Sequence, residues 1–326
     1  MNYKLQAKNY KLPFAFFGTP RLAAVFLDDL EESGYIPSLV VTTPDRKQGR
    51  GMELTPPPVK VWAEKRDIEV LQPEQFDVEF SSKLEARSLQ LFVIIYYGKV
   101  LPKAVLDIPK HGVLNIHFSL LPRWRGTSPV RAAILNDDRE VGTSIILLDE
   151  RIDHGPVVAQ KCIEVPGWSQ GKDGLARRSF PRPSEALREG GSEGGPPRAS
   201  ELEERMTHES AKLLIEIMPS WVAGDIEAQE QNHDLATHCP TLEKDDGRIT
   251  LSDDPYQNLL KIRAFDTTIG THAFFERDSK RIRVQILDAH LDPSTDGGKL
   301  LIDRVKPEGK REMAYEEFAR SGVKPI

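Results

Sequence analysis

A chain of 326 residues, 29% charged and 39% hydrophobic, is long enough for two domains that each bury a core. A net charge of −6 excludes a surface coated in basic residues, so a nucleic-acid partner has to be met by local patches. Two cysteines, Cys162 and Cys239, exclude a disulfide framework or a cysteine-rich metal cluster. No run of about 18 apolar residues is present to span a membrane, and Met1 to Leu12 is polar and lysine-bearing. A soluble, cytoplasmic protein with reduced thiols is expected.

The first half alternates short apolar runs with helix-like stretches, the pattern of a parallel sheet wrapped by helices. Phe14 to Phe17 reads as a buried strand ending at Gly18-Thr19-Pro20, followed by a helix through Leu22, Val25, Phe26 and Leu30. A second strand is expected over Ile36 to Thr42 and a helix over Val59 to Lys65. Leu91 to Tyr96 reads as a strand stopped by Gly98, and further strands are expected over Val113 to Ile116, Thr143 to Leu148 and Pro156 to Ile163. Residues 168–199 are nearly half Gly, Pro and Ser, the composition of a flexible insertion. A helix with Met206, Leu213, Leu214 and Ile217 on one face follows over 200–218. From Pro219 onward, strand candidates at Arg281 to Leu287 and Lys299 to Val305, with a helix over Pro255 to Phe265, suit a small β-barrel.

The chemistry concentrates at Asn115-Ile116-His117 and the following Ser119-Leu120-Leu121-Pro122-Arg123-Trp124-Arg125-Gly126. Residues two apart on a strand share a face, so Asn115 and His117 project together at a strand end, where ligands of parallel sheets bind. Asp149-Glu150-Arg151-Ile152-Asp153-His154-Gly155-Pro156 brings carboxylates into a turn before the next strand. Such a set can transfer an acyl group to an amine with neither a metal nor a covalent intermediate. An amide N–H stabilises the developing oxyanion, an imidazole moves the proton, and a carboxylate orients the imidazole. Spacing alone leaves Asp149 and Asp153 equivalent candidates.

Asn115-x-His117, Ser119-Leu-Leu-Pro122, Arg125-Gly126 and Asp153-x-Gly155-Pro156 together resemble the signature of the 10-formyltetrahydrofolate-dependent formyltransferases. The resemblance implies an α/β doubly wound, mostly parallel (Rossmann-like) catalytic domain. It implies that Asn115, His117 and Asp153 are catalytic, which chooses Asp153 over Asp149. It implies that Ser119, Leu120, Leu121 and Pro122 lie along the folate, and that the Tyr97-Gly98 loop lines the same site. The co-substrate implied is 10-formyltetrahydrofolate, with no metal.

Several members of that family differ in the amine they formylate. Pro44-Asp45-Arg46-Lys47-Gln48-Gly49-Arg50-Gly51, then Leu54-Thr55-Pro56-x-Pro58-Val59-Lys60, resembles the methionyl-tRNA formyltransferases, and so does the opening Phe16-Phe17-Gly18-Thr19-Pro20. Two glycines and three cations in a loop suit close approach to a phosphate backbone, and Arg46, Lys47 and Arg50 become the candidate tRNA contacts. Ile262-Arg263-Ala264-Phe265 and Val305 to Lys310 resemble that family's second, OB-like barrel domain, which adds Arg281 and Lys306 as candidates. The implied partner is methionyl-initiator tRNA and the implied state a monomer. Three departures stand out: Met52-Glu53 in place of the usual lysines, Phe118 and Tyr96 at positions that are usually different, and Gly171 to Pro197 without a counterpart. The expected organisation is a catalytic domain over 1–167 (core 12–167), an insertion over 168–199, a helix over 200–218 and the tRNA-binding domain over 219–326. Competing readings are an amino-sugar N-formyltransferase using the same donor, a folate hydrolase, and a non-catalytic folate- or RNA-binding protein.

Overall fold

The computed structural model describes residues 12–48, 51–166, 168, 195–292, 294 and 298–326. They form two compact units. The first takes the described residues up to Gly126, with Gly142–Ile163 and Glu204–His238; the second takes Thr127–Val141, the described part of Glu164–Glu203, and Cys239–Ile326. The chain passes between units more often than a linear division at residue 219 provides for, because 127–141 belongs to the second and 219–238 to the first.

Elements of the first unit follow the expected alternation. β1 (Phe14–Phe17), α1 (Arg21–Glu32) and β2 (Leu39–Val41) come first, then a hairpin of β3 (Arg46–Gln48) and β4 (Glu53–Thr55). α2 (Pro58–Glu64), β5 (Val70–Leu71), α3 (Val78–Glu85), β6 (Leu91–Ile94), α4 (Lys103–Leu106) and β7 (Val113–His117) complete the parallel part. α5 (Pro129–Leu135), in the second unit, precedes β8 (Val141–Leu147) and β9 (Val157–Ile163), and α6 (Ala199–Ala223) follows. The sheet order is β5-β2-β1-β6-β7-β8-β9. The five strands from β5 to β7 pair in parallel, and β8 then runs antiparallel to β7.

Strand order reverses between β1 and β6, since the chain first builds outward from β1 to β2 and β5 and then outward to β6 and β7. A crevice beyond the carboxyl ends of the strands is the binding position that this winding creates. The parallel strands read as unbroken apolar runs because helices cover both faces. All four residues of β1 and of β6 are buried. Phe17 packs on Phe92 (ring centroids 5.3 Å apart) on one face, and Phe16 on Phe26 of α1 (6.1 Å) on the other.

Among the elements that differ from the sequence expectation, three have identifiable reasons. The segment after Thr43, expected as a loop, is the β3–β4 hairpin. Its root is tied by Asp45, whose carboxylate accepts from Gln72 (2.7 Å) and Lys60 (2.9 Å), and those bonds hold its pKa below the usual value. α3 was not anticipated, although Asp77 caps it by accepting from the Phe80 N–H (2.8 Å), with Phe80 and Leu84 four residues apart on its buried face. α6 runs past Pro219, where the expected helix stopped. A proline there removes one backbone bond, but burial of Leu214 and Met218 keeps the surrounding turns in place. Most of the expected insertion at 168–199 lies outside the described residues.

In the second unit, α7 (Pro255–Ala264) precedes a five-stranded antiparallel sheet. Its strands are β10 (Thr271–Arg277), β11 (Lys280–Asp292), β12 (Lys299–Pro307), β13 (Met313–Ala314) and, after α8 (Tyr315–Ala319), β14 (Lys324–Pro325), in the order β13-β12-β11-β10-β14. Alternation along the strands gives it one apolar face: Ala273, Phe275, Val284, Ile286 and Val305 pack with Ile262 of α7 and Phe318 of α8. Among the described residues, no helix is long and apolar enough to cross a membrane.

Glu209 of α6 accepts from Lys161 of β9 and from Lys212, each at 2.7 Å, and these bonds, Lys161's first, hold its pKa at about 2. A carboxyl whose folded pKa is depressed stabilises the fold above its unfolded pKa and loses that stabilisation as pH falls through the folded value. Glu209→Gln should therefore cost about 1 kcal/mol at neutral pH, a modest figure because the pairs are partly solvated. In thermal denaturation, the gap from the unsubstituted protein should close as pH falls from about 4.5 towards 2.

Candidate active site

β7 ends where the parallel part of the sheet meets its antiparallel partner. Asn115 lies opposite Ile146 of β8, and His117 opposite Ser144. The two side chains share a face, as strand geometry requires, and the turn after β8 brings Asp153 to them. Asp153 Oδ1 lies 3.5 Å from Asn115 Nδ2 and 3.5 Å from His117 Nδ1. Its other oxygen accepts from the Gly126 N–H at 2.8 Å. Asp153 is 8% exposed and His117 6%, whereas Asn115 is only half-buried. The three residues expected to be catalytic are thus brought together.

The imidazole is oriented from both sides. His117 Nε2 lies 2.9 Å from the Trp124 carbonyl oxygen, an acceptor, so Nε2 carries the hydrogen and Nδ1 faces Asp153. Asp149, the rival carboxylate, turns elsewhere: it accepts from the Arg151 N–H (2.8 Å) and pairs with His154 Nδ1 (2.6 Å). Gly155 permits the close turn, because a Cβ there would fall 1.9 Å from the Leu147 carbonyl oxygen. Asp153 itself adopts a left-handed φ of 49°, a conformation that costs energy in a residue with a side chain.

The Ser119 to Pro122 loop is pinned by residues that the sequence reading did not single out. The Ser144 hydroxyl donates to the Ser119 carbonyl (2.6 Å) and accepts from the Leu121 N–H (3.0 Å), while Gln160 Nε2 donates to the Leu121 carbonyl (2.7 Å). The Ser119 hydroxyl is used internally, donating to the Arg123 carbonyl at 2.5 Å. Leu120 packs over Gly142, and the Leu121–Pro122 peptide is cis. Tyr97, expected to line the cofactor site, has its ring in the core against Phe17 (5.4 Å) and Phe76 (6.2 Å), and burial pushes its pKa up. Gly98 beside it is exposed with a φ of 78°.

Arg125 and Gln231 were also missed as a pair. The guanidinium donates to Gln231 Oε1 (2.7 Å from Nη2), and Gln231 Nε2 donates to the Asp153 and Gly155 carbonyls at 3.0 and 2.7 Å. The two lie 106 positions apart in sequence, and no periodicity links them. Arg46 and Lys47 are exposed on β3, Arg281 on β11 and Lys306 on β12, while Arg50 lies outside the described residues. Among the described residues, no group of His, Cys, Asp and Glu is arranged to hold a metal.

A family described as formyl transferase matches residues 11–180, which makes the chain an enzyme of formyl transfer. The methionyl-tRNA formyltransferase of Desulfotalea psychrophila is 33% identical, covering 97% of this chain and 94% of its own. That of Thermotoga maritima is 32% identical, covering 94% of each. The chain belongs to the methionyl-tRNA formyltransferase family. Solved structures share the fold at low identity. An N-formyltransferase from Helicobacter canadensis, in complex with folinic acid and dTDP-3-aminofucose, has a TM-score of 0.56 at 16% identity, covering 86% of this chain and 88% of its own. HypX from Aquifex aeolicus, in complex with tetrahydrofolic acid, has a TM-score of 0.58 at 14% identity, covering 94% of this chain and 46% of its own.

Asn115→Ala should lower kcat for formyl transfer by about 10²- to 10³-fold, and His117→Ala by about 10²- to 10⁴-fold. Both variants should remain folded, with His117→Ala melting lower because it empties a buried, hydrogen-bonded position. Initial rates at saturating substrates, beside a melting curve of each variant, check this.

Proposed function

We propose that this enzyme transfers the formyl group of 10-formyltetrahydrofolate to the α-amino group of methionyl-initiator tRNA, acting as a cytoplasmic monomer. The observation that carries the chemistry is the convergence of Asn115, His117 and Asp153, with two 3.5 Å approaches to one carboxylate oxygen. The substrate follows from the full-length relatives.

The residues suit a folate formyl donor. Asn115 is half-buried, and its Nδ2 makes a long contact to Asp153 (3.5 Å), so it can turn to donate to a formyl oxygen. The folate supplies an activated formyl carbon and a nitrogen leaving group. A C–N bond forms between that carbon and the methionyl amine as the bond to N10 breaks. Asn115 Nδ2 stabilises the negative charge that builds on the formyl oxygen. His117 Nδ1, the nitrogen left without a hydrogen, takes the proton the amine must lose and passes it toward the departing N10, and the Asp153 carboxyl group beside it holds the imidazolium that forms. Gly126 N–H keeps the carboxylate directed at the histidine. The Ser119 to Pro122 loop, fixed by Ser144 and Gln160, forms the wall along the folate, with Gly98 at its neighbouring edge.

The second unit is read as an OB-like barrel that holds tRNA on its outer sheet face. Cross-strand partners point to the same side of a sheet. Phe274 lies opposite Arg283, Glu276 opposite Arg281, and Gln285 opposite Lys306, all away from the apolar core. Arg281 lies over the Phe274 ring at 3.5 Å and Arg248 at 5.5 Å, so one aromatic ring gathers two guanidinium groups. This local cluster is how a chain of net charge −6 presents a basic surface to a polyanion. Arg46 and Lys47 on the β3–β4 hairpin, with Arg50 beyond them, are assigned to the acceptor arm.

Label from 10-formyltetrahydrofolate should appear on methionyl-initiator tRNA and not on methionyl-elongator tRNA or a UDP-amino-sugar. Label on the sugar, or formate released without an acceptor, would overturn the substrate reading. In the Arg281→Ala, Lys306→Ala double variant, KM for tRNA should rise several-fold with kcat unchanged. The dependence of log KM on log salt should flatten by about one unit per phosphate contact removed. Kinetics from low to moderate salt measure both.

A further inference from the structure

Asp153 is useful to His117 only if the turn that carries it is held still, and β8 holds one end of that turn, the Leu147 N–H donating to the Pro156 carbonyl at 2.9 Å. Its backbone is fixed from outside by residues 229–238. Gln229 exchanges two backbone hydrogen bonds with Val157, at 2.7 and 2.8 Å, just past the turn. The Gln231 side chain then donates to the carbonyls of Asp153 (3.0 Å) and Gly155 (2.7 Å). Farther along, Thr237 accepts from the Trp124 N–H with its hydroxyl (2.9 Å) and from the Arg125 N–H with its carbonyl (2.8 Å). Its own N–H donates to the Pro122 carbonyl at 3.2 Å. One continuous stretch of ten residues therefore fastens both loops that meet at His117. One loop provides the Trp124 carbonyl on Nε2, the other the Asp153 carboxylate facing Nδ1.

Gln231 is the residue on which this arrangement turns. It is 6% exposed, and so is Arg125. Its amide oxygen receives the Arg125 guanidinium while its amide nitrogen serves two carbonyls, which uses both ends of the group. A carboxylate in its place keeps the acceptor for arginine but has no N–H for the turn, and an apolar side chain offers neither. The same Arg125 Nη2 also donates to His233 Nδ1 (2.8 Å), and His233 stacks on His154 of the Asp153 turn at 4.1 Å.

We propose that residues 229–238 are a positioning strap for the catalytic pair, and that Gln231 sets the Asp153 carboxylate against His117. The proposal rests on the reading of Asp153 and His117 as catalytic. A displacement of about 1 Å in such a group costs on the order of 10²-fold in rate. Gln231→Leu and Gln231→Glu in the full-length enzyme should each lower kcat about 10- to 100-fold, with KM for folate and for tRNA within about twofold. Amide hydrogen exchange of residues 150–157 should quicken in both variants. Thr237→Val, at an exposed position, should give a smaller fall in kcat through the other end of the strap, and serves if the Gln231 variants do not fold. Unchanged kcat in folded Gln231→Leu, or full turnover in Gln231→Glu, would overturn the proposal. So would a loss explained entirely by fewer folded molecules, or unchanged exchange at 150–157. If the unsubstituted enzyme does not formylate methionyl-tRNA, the substrate reading fails instead, and exchange at 150–157 still decides the strap.

Discussion

A buried carboxylate is the constraint around which the first unit is arranged. Asp153 is 8% exposed, and a carboxyl group withdrawn from water needs polar partners where it is buried. The Gly126 N–H occupies one oxygen at 2.8 Å, while Asn115 and His117 approach the other. Satisfying this one group therefore brings together the end of β7, the loop that follows it and the turn before β9. The same demand explains the left-handed backbone at Asp153 and the glycine two residues later, which admits the Leu147 carbonyl where a Cβ would collide.

The sheet supplies what the turn cannot. Five parallel strands bury apolar side chains on both faces and hold β7 rigid, so Asn115 and His117 project from a framework rather than from a loop. Reversal of direction at β8 matters to the chemistry. An antiparallel neighbour returns the chain to the far end of β7, so Ser144 lies opposite His117 and its hydroxyl reaches the Ser119 to Leu121 loop. Core and site are thus coupled through β8, which packs Ile145 and Ile146 into the interior while its polar residues pin the loop.

The second unit sorts its side chains by strand alternation. Along β11, Ile282, Val284 and Ile286 face the core, while Arg281 and Arg283 face outward near Phe274.

Sequence periodicity by itself determined a parallel sheet wrapped by helices, since unbroken apolar runs of strand length separated by helical periodicity leave few other ways to bury them; the doubly wound class came from the motif resemblance. It also determined the shared face of Asn115 and His117, because residues two apart on a strand project together. The motif resemblance, rather than spacing, named Asp153. Only the tertiary structure showed Asp149 turned to His154, and only it removed the Tyr97 ring into the core with Phe17 and Phe76. It alone folded the Arg46 to Thr55 segment into a hairpin, carried α6 through Pro219, and joined Arg125 to Gln231. The physical reason is range. Periodicity and turn chemistry act over a few residues, whereas the partners of a buried polar group are chosen by whichever distant segment arrives with the right donor.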